Sequence, residues 1–139
     1  MNKFIELLLF VWQLPQNLLG LILLLIYKHE KVYHKLNGRT FYYTDEMPSG
    51  ISLGNYIIMN REDKRDGMKH EYGHSIQSRI LGPIYLIIVG LPSLIGNIYD
   101  EIAHRHWPYE KSYKWYYNQP LEKWADKLGH VNRIYPTYV

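Results

Sequence analysis

The chain contains no cysteine among its 139 residues. This absence excludes a disulfide framework and any metal site built from thiolates, so a bound metal would need histidine and carboxylate ligands. The sequence also lacks internal repeats and Ser/Pro-rich linkers, and its length is close to that of one ordinary domain. We therefore expect a single hydrophobic core.

A strong excess of charge of one sign is absent too. Sixteen Lys and Arg residues against thirteen Asp and Glu residues leave a formal net charge of +3 at pH 7. The positive residues are scattered, with one notable cluster at Lys28, Lys31, Lys35 and Arg39. Because a nucleic-acid partner calls for a dense basic patch, we expect none here.

One short motif has a clear chemical meaning. His70-Glu71-Tyr72-Gly73-His74 has the spacing H-E-x-x-H. Residues four apart lie on one face of a helix, so both imidazoles can reach a single metal ion. Glu71 falls beside that face, where a carboxylate can act as a general base on a metal-bound water. The motif predicts His70 and His74 as metal ligands and Glu71 as the catalytic residue.

The residues around this motif favour a helix. Positions with helical periodicity run from Met68 to Leu81, and Gly82-Pro83 ends the run. Gly73 lies inside it, although a helical Gly costs about 1 kcal/mol relative to Ala. We therefore expect another backbone or a ligand to pack closely against Gly73.

A third ligand is needed, because catalytic zinc usually takes three protein ligands and one water. Residues 120–129 are typical of a second helix, with a Pro at its start and a Gly at its end. Glu122 and Asp126 are four apart on one face of it. Glu122 is the predicted third ligand, and Asp126 is predicted to accept an N–H from a ligand histidine. This spacing is common on solvated helices, so its weight depends on the first motif.

Together the two motifs resemble those of the gluzincin metallopeptidases, and the surrounding residues are similar to small, poorly characterised bacterial zincin-like proteins with an apolar N-terminus. The resemblance implies Zn²⁺ as cofactor, a peptide or protein substrate, ligation by His70, His74 and Glu122, and Glu71 as the base. Two alternatives stay open. One is a zinc-binding but catalytically inactive interaction or membrane-scaffold module, and the other is a small apolar membrane protein without metal.

The N-terminal segment is almost wholly apolar from Phe4 to Tyr27. A helix that is apolar on all sides belongs in a large core or in lipid, and this chain is too short for such a core. Pro15 divides residues 4–27 into arms too short to cross a bilayer singly, so the segment is a kinked span, a re-entrant hairpin or two interfacial helices. We therefore divide the chain into an apolar, membrane-associated helical segment, 1–28, and a zincin-like metal-binding domain, 29–139.

A second apolar stretch covers residues 80–99 and is interrupted by Gly and Pro. It is either a second membrane contact or a buried core helix beneath the motif helix. If the first segment spans the membrane, the basic residues after it favour a cytoplasmic position for the rest. No small-x-small cleavage site follows the first segment before Lys28, which disfavours a cleaved signal peptide.

The expected fold is α+β: a minimal zincin-like domain in which the two motif helices accompany a small β-hairpin. Its strands are predicted at residues 39–44 and 51–60, which are rich in aromatic and β-branched side chains. Fourteen tyrosines are present. Tyr113, Tyr116 or Tyr117 is a candidate donor to an oxyanion, although interfacial packing is the favoured interpretation for any single one of them.

Overall fold

The computed structural model describes residues 2–47, 49–61 and 65–133. The described residues form a mixed structure of helices and one four-stranded sheet, which confirms the α+β class. The helices are α1 (Lys3–Trp12), α2 (Leu14–Ile26), α3 (Arg65–Leu81), α4 (Leu91–Ala103), α5 (Tyr109–Tyr117) and α6 (Pro120–Gly129). A 3₁₀ turn (Gly82–Ile84) and a π-helical turn (Leu86–Gly90) connect α3 to α4.

The sheet has the strand order β1-β2-β4-β3. Its strands are β1 (Glu30–Leu36), β2 (Arg39–Thr44), β3 (Ile51–Leu53) and β4 (Tyr56–Asn60). The β1–β2 hairpin turns at Asn37-Gly38, where both residues have positive φ, as the common two-residue hairpin turn requires. Sequence reasoning overlooked this Asn-Gly signal.

The hairpin predicted between residues 39–44 and 51–60 is not formed. Gly54, with φ of +66°, makes a turn that splits the second segment into β3 and β4. Strand β4 pairs antiparallel with β3 on one side and parallel with β2 on the other. It therefore lies between these two strands. The short strand β3 therefore forms one edge of the sheet and pairs with β4 alone.

The sheet packs one face against α3. Phe41, Ile57 and Met59 form the buried cluster, and Met68 and Tyr72 of α3 pack against it. The predicted end of this helix is confirmed, since Gly82 takes φ of +59° directly after Leu81. The core thus fixes α3, and with it the H-E-x-x-H motif, against the strands.

Helix α6 packs against a neighbouring face of α3 at very short range. A Cβ atom added at Gly73 would lie 1.9 Å from the carbonyl oxygen of Ala125, and one added at Gly129 would lie 2.0 Å from that of Lys69. No side chain fits at either point. The predicted close backbone approach at Gly73 is therefore confirmed, and its partner is the second motif helix.

The N-terminal helices dock onto this body through polar groups. Helices α1 and α2 meet at 88°, and near the bend Gln13, Gln16 and Asn17 are completely buried. Gln16 donates to Ser78 Oγ at 2.9 Å and to the Gly82 carbonyl at 2.8 Å. The three polar residues at the bend thus face inward, and most large apolar side chains of the segment are exposed.

A large apolar surface is exposed as a result. Leu86–Ala103 is a stretch of 18 residues with mean hydropathy of 1.4, long and apolar enough to cross a membrane, and only 6% of it is buried. Helix α4 has no buried residue, which does not match the alternative of a buried core helix. The bent pair α1–α2 is also long and apolar enough to enter a membrane, either as one broken span or as a re-entrant loop.

Substitution of Gly73 tests the close contact between α3 and α6. We expect Gly73→Ala to lower the free energy of unfolding by about 1–3 kcal/mol or more, because the new methyl group collides with a backbone carbonyl. Gly96→Ala is the matched control, since nothing lies within 4 Å of a Cβ at that helical position. Thermal unfolding of the detergent-solubilised protein measures both. Equal unfolding temperatures for the two variants would contradict the contact.

Candidate metal centre

Helix α3 presents the two motif histidines side by side in the interior. His70 and His74 are only 3% and 5% exposed, and their Nε2 atoms are 3.1 Å apart. The helical spacing of four residues produces this arrangement directly. The two predicted imidazole ligands are therefore brought together.

Helix α6 adds Glu122 to this pair. Its Oε2 atom lies 3.0 Å from Nε2 of His70 and 3.0 Å from Nε2 of His74, and the residue is 2% exposed. Glu122 can approach the two histidines this closely because α6 contacts the backbone of α3 at Gly73, the residue before His74. His70, His74 and Glu122 thus form a buried group that is able to hold a metal ion.

The outer nitrogen of each imidazole has an acceptor. His70 Nδ1 lies 2.6 Å from Asp126 Oδ1, as predicted for Asp126. His74 Nδ1 lies 2.6 Å from Gln77 Oε1, and the amide of Gln77 is oriented by its donation to the Leu121 carbonyl. Both Nδ1 atoms are therefore donors, and a neutral imidazole at either position has its lone pair on Nε2.

This assignment leaves three electron-rich atoms facing one another at 3.0–3.1 Å. Such an arrangement is stable only with a cation, a proton or a metal ion, among the three atoms. Tetrahedral zinc bonds of about 2.0–2.2 Å place neighbouring ligand atoms roughly 3.3 to 3.6 Å apart, so these three atoms need to separate by only about half an ångström or less to hold the ion. The donor set and its spacing therefore fit a metal ion of this size.

Protonation shows the same demand for positive charge. Burial alone would lower the pKa of His70, but its hydrogen bonds to Asp126 and Glu122 outweigh burial and raise that pKa to about 9. Burial alone would raise the pKa of Glu122, but hydrogen bonds from His70 and His74 hold it well below its ordinary value. The glutamate is thus an anion at neutral pH, as a metal ligand must be.

Arg133 supports the site from behind. Its guanidinium contacts Asp126 through Nε–Oδ2 at 2.6 Å and Nη2–Oδ1 at 2.9 Å, and it stacks 3.5 Å from the centre of the Tyr117 ring. Tyr117 in turn packs edge-on against His70. Sequence reasoning missed Arg133, because no local pattern links it to either motif.

The second oxygen of Glu122 has its own partners. Ser93 Oγ donates to Oε1 at 2.5 Å and Tyr116 OH donates to the same atom at 3.2 Å. Burial, followed by the charge of Glu122, raises the pKa of Tyr116 well above its ordinary range, so the phenol remains a donor. Both hydroxyls hold the glutamate so that only Oε2 faces the histidines.

A cavity of about 300 Å³ opens beside the group. Glu71, which is 9% exposed, lines it together with His74 and Tyr116. One wall is the edge strand β3 and the opposite wall is α4. The predicted base therefore faces the same space as a metal ligand.

The candidate tyrosines differ in their positions relative to this cavity. Of the three candidate tyrosines, Tyr116 is the one that lines the cavity. Tyr113 instead accepts a hydrogen bond from Arg133. His104 is buried, paired with Asp100 at 2.7 Å and stacked on Trp107, away from the candidate metal centre.

No protein-family model, curated protein or solved structure matches this chain. The functional assignment therefore depends on the residues of the site themselves.

The role of Asp126 has a direct test. We expect Asp126→Asn to weaken zinc affinity by about 10 to 100-fold, because an amide accepts the His70 proton less strongly than a carboxylate does. Asp100→Asn is the matched control, since Asp100 makes the same bond to His104. Competition with a chromophoric chelator measures both affinities. An equal affinity in the two variants would remove Asp126 from the support of the metal.

Proposed function

We propose that this protein is a membrane-associated, zinc-dependent hydrolase of the zincin type that cleaves peptide bonds. One observation carries the proposal: a buried group of two imidazoles and a carboxylate shares a cavity with a further glutamate. A purely structural cluster needs no second carboxylate at its open side. The resemblance of the two motifs to those of gluzincins supports the same assignment.

Zinc fits the donors better than its main competitors do. Imidazole nitrogen with one carboxylate suits Zn²⁺, whereas Ca²⁺ and Mg²⁺ prefer oxygen ligands alone. His70, His74 and Glu122 would hold the ion and leave a coordination position for water. Bound there, zinc would acidify that water and polarise the carbonyl of the bond to be cleaved.

Two side chains of the cavity supply the remaining chemistry. Glu71 would accept a proton from water and return it to the leaving amine, as general acid–base catalysis of amide hydrolysis requires. Tyr116 stays protonated at neutral pH and lines the cavity. Its one proton is donated to Glu122 Oε1 at 3.2 Å, and Ser93 holds the same oxygen, so the Tyr116 hydroxyl would have to turn from Glu122 to the substrate to stabilise negative charge developing on the carbonyl oxygen.

The walls of the cavity suggest an extended substrate. Strand β3 is the edge of the sheet, and residues 51–53 line the cavity opposite α4. A peptide lying between them can add to the sheet edge through main-chain hydrogen bonds. An extended peptide segment is therefore the substrate that we propose for this space.

Membrane association follows from the distribution of apolar side chains. The buried residues are mostly polar, whereas large apolar side chains of α1, α2 and α4 are exposed. Leu25, Ile87 and Ile102 are 88%, 69% and 68% exposed. A surface this apolar is typical of contact with lipid. We propose that these helices place the cavity at or within a bilayer.

Catalysis by Glu71 is tested by Glu71→Gln. The variant should keep its zinc, because Glu71 is not a ligand, and should lose hydrolysis by about 100-fold or more, because the base is gone. Glu30→Gln is the control for the same chemical change at an exposed position. Both are incubated with a panel of extended and membrane-inserted peptides, and products are detected by mass spectrometry.

The outcomes separate the proposal from its rival. Equal turnover by the wild type and Glu71→Gln would exclude Glu71 as the base. Zinc binding without turnover by either protein on a broad panel would favour the inactive zinc-binding module.

The membrane contact is tested on its exposed face. We expect Ile87→Lys with Ile95→Lys to reduce flotation with lipid vesicles, because each lysine costs about 2.5–3.5 kcal/mol in the hydrocarbon region. His106→Lys adds one charge just beyond α4 at an exposed position and should float like the wild type. A wild-type protein that stays monomeric in water without detergent would contradict the membrane assignment.

A further inference from the structure

A second polar site, at which two arginines converge, adjoins a cavity that shares no lining residue with the cavity beside the metal centre. Arg39 Nη1 and Arg79 Nη2 donate to the same oxygen, the Asn37 carbonyl, at 2.9 Å and 2.6 Å. Arg39 comes from β2 and is 4% exposed, and Arg79 comes from the last turn of α3. Two guanidinium groups are therefore held together at the β1–β2 turn.

Their positive charge is only partly balanced: burial lowers the pKa of Arg79, and the nearby charge of Glu6 opposes that shift. None of the ion pairs among the described residues includes Arg39 or Arg79. Arg39 instead bonds Ser75 Oγ at 3.0 Å and lies over the ring of Tyr72, both neutral groups. Burial, with the charge of Arg79, lowers the pKa of Arg39 to about 10. Two partly buried cations with a single carboxylate near them attract a further anion.

A cavity of about 210 Å³ adjoins this pair. Arg79 lines it, and α1 adds a second cation, Lys3, and one carboxylate, Glu6. Leu7 and Phe10 form an apolar wall, which continues into the exposed apolar surface of α1. Among the residues that the structure describes, none is a hydrogen-bond partner of the buried Nε of Arg79. The cavity thus combines an excess of positive charge with access to an apolar surface.

We propose that this cavity binds a phosphate group, either free or as the headgroup of a phospholipid. Guanidinium groups recognise phosphate through charge-assisted hydrogen bonds. Arg79 and Lys3 outweigh the one carboxylate in the cavity wall, and Arg39 adds positive charge beside Arg79 through the shared Asn37 carbonyl. The apolar wall suits the glycerol and acyl portion of a lipid. This site is separate from the metal centre and does not depend on the proposed hydrolysis.

The experiment uses full-length protein in a maltoside detergent, which carries no phosphate. Calorimetric titration with inorganic phosphate measures the affinity for the free anion. Native mass spectrometry after incubation with phosphatidylglycerol measures binding of the lipid. Arg79→Gln should weaken phosphate binding by about tenfold or more, because a charge-assisted contact is lost. Lys3→Gln, at an exposed residue, should weaken it less. Glu6→Gln should strengthen it, because a like charge leaves the cavity wall.

Arg105→Gln is the control for removal of an exposed positive charge elsewhere and should bind like the wild type. Competition between phosphate and phosphatidylglycerol for saturable binding would identify the lipid headgroup as a ligand. Saturable phosphate binding without such competition would support a free phosphate ligand. Absence of saturable binding in both arms, or equal affinity in wild type, Arg79→Gln and Glu6→Gln, would overturn the proposal.

Discussion

The contact between the backbones of α3 and α6 is the constraint on which the rest of the structure depends. Gly73 has no side chain, so the carbonyl of Ala125 can occupy the place where a Cβ would stand. This brings Glu122 and Asp126 to the side of α3 that bears His70. With an ordinary helical separation of 8–10 Å, enforced by larger side chains, these carboxylates would not reach both imidazoles at hydrogen-bonding distance.

The same contact explains the unusual distribution of polarity. The space between α3 and α6 is filled by charged and polar groups, and Gln13, Gln16 and Asn17 fill the junction of α2 with the body. Little interior room is left for apolar side chains, so the long apolar helices carry theirs outside. Folding in water would bury little apolar surface of such a chain, so the hydrophobic effect would stabilise the fold only weakly there. Lipid is the environment that would stabilise it.

Much of the site follows from local sequence patterns. The i, i+4 spacing puts His70 beside His74 on any helix, and the same spacing relates Glu122 to Asp126. The cost of a helical Gly indicated a close contact at Gly73, which is confirmed. The partners that support the site depend on tertiary structure instead: Ser93 reaches Glu122 across 29 residues, and Arg133 reaches Asp126 from beyond the end of α6. No periodicity predicts such pairs.

The sheet shows a similar division. Strands β2 and β4 were predicted from their aromatic and β-branched residues, but the parallel pairing of β2 with β4 arises from the turn at Gly54, which the pattern does not reveal. The inward position of Gln13, Gln16 and Asn17 was also missed. Three polar residues in a long apolar run appear as exceptions to it, although they form its docking face.

The most direct test of the account is to locate zinc in the protein by diffraction at the zinc absorption edge, with crystals grown in the presence of the metal. The account predicts one strong anomalous peak, bonded to Nε2 of His70, Nε2 of His74 and Oε2 of Glu122. An absence of any peak at that position, or zinc bound only at histidines outside α3, would contradict it.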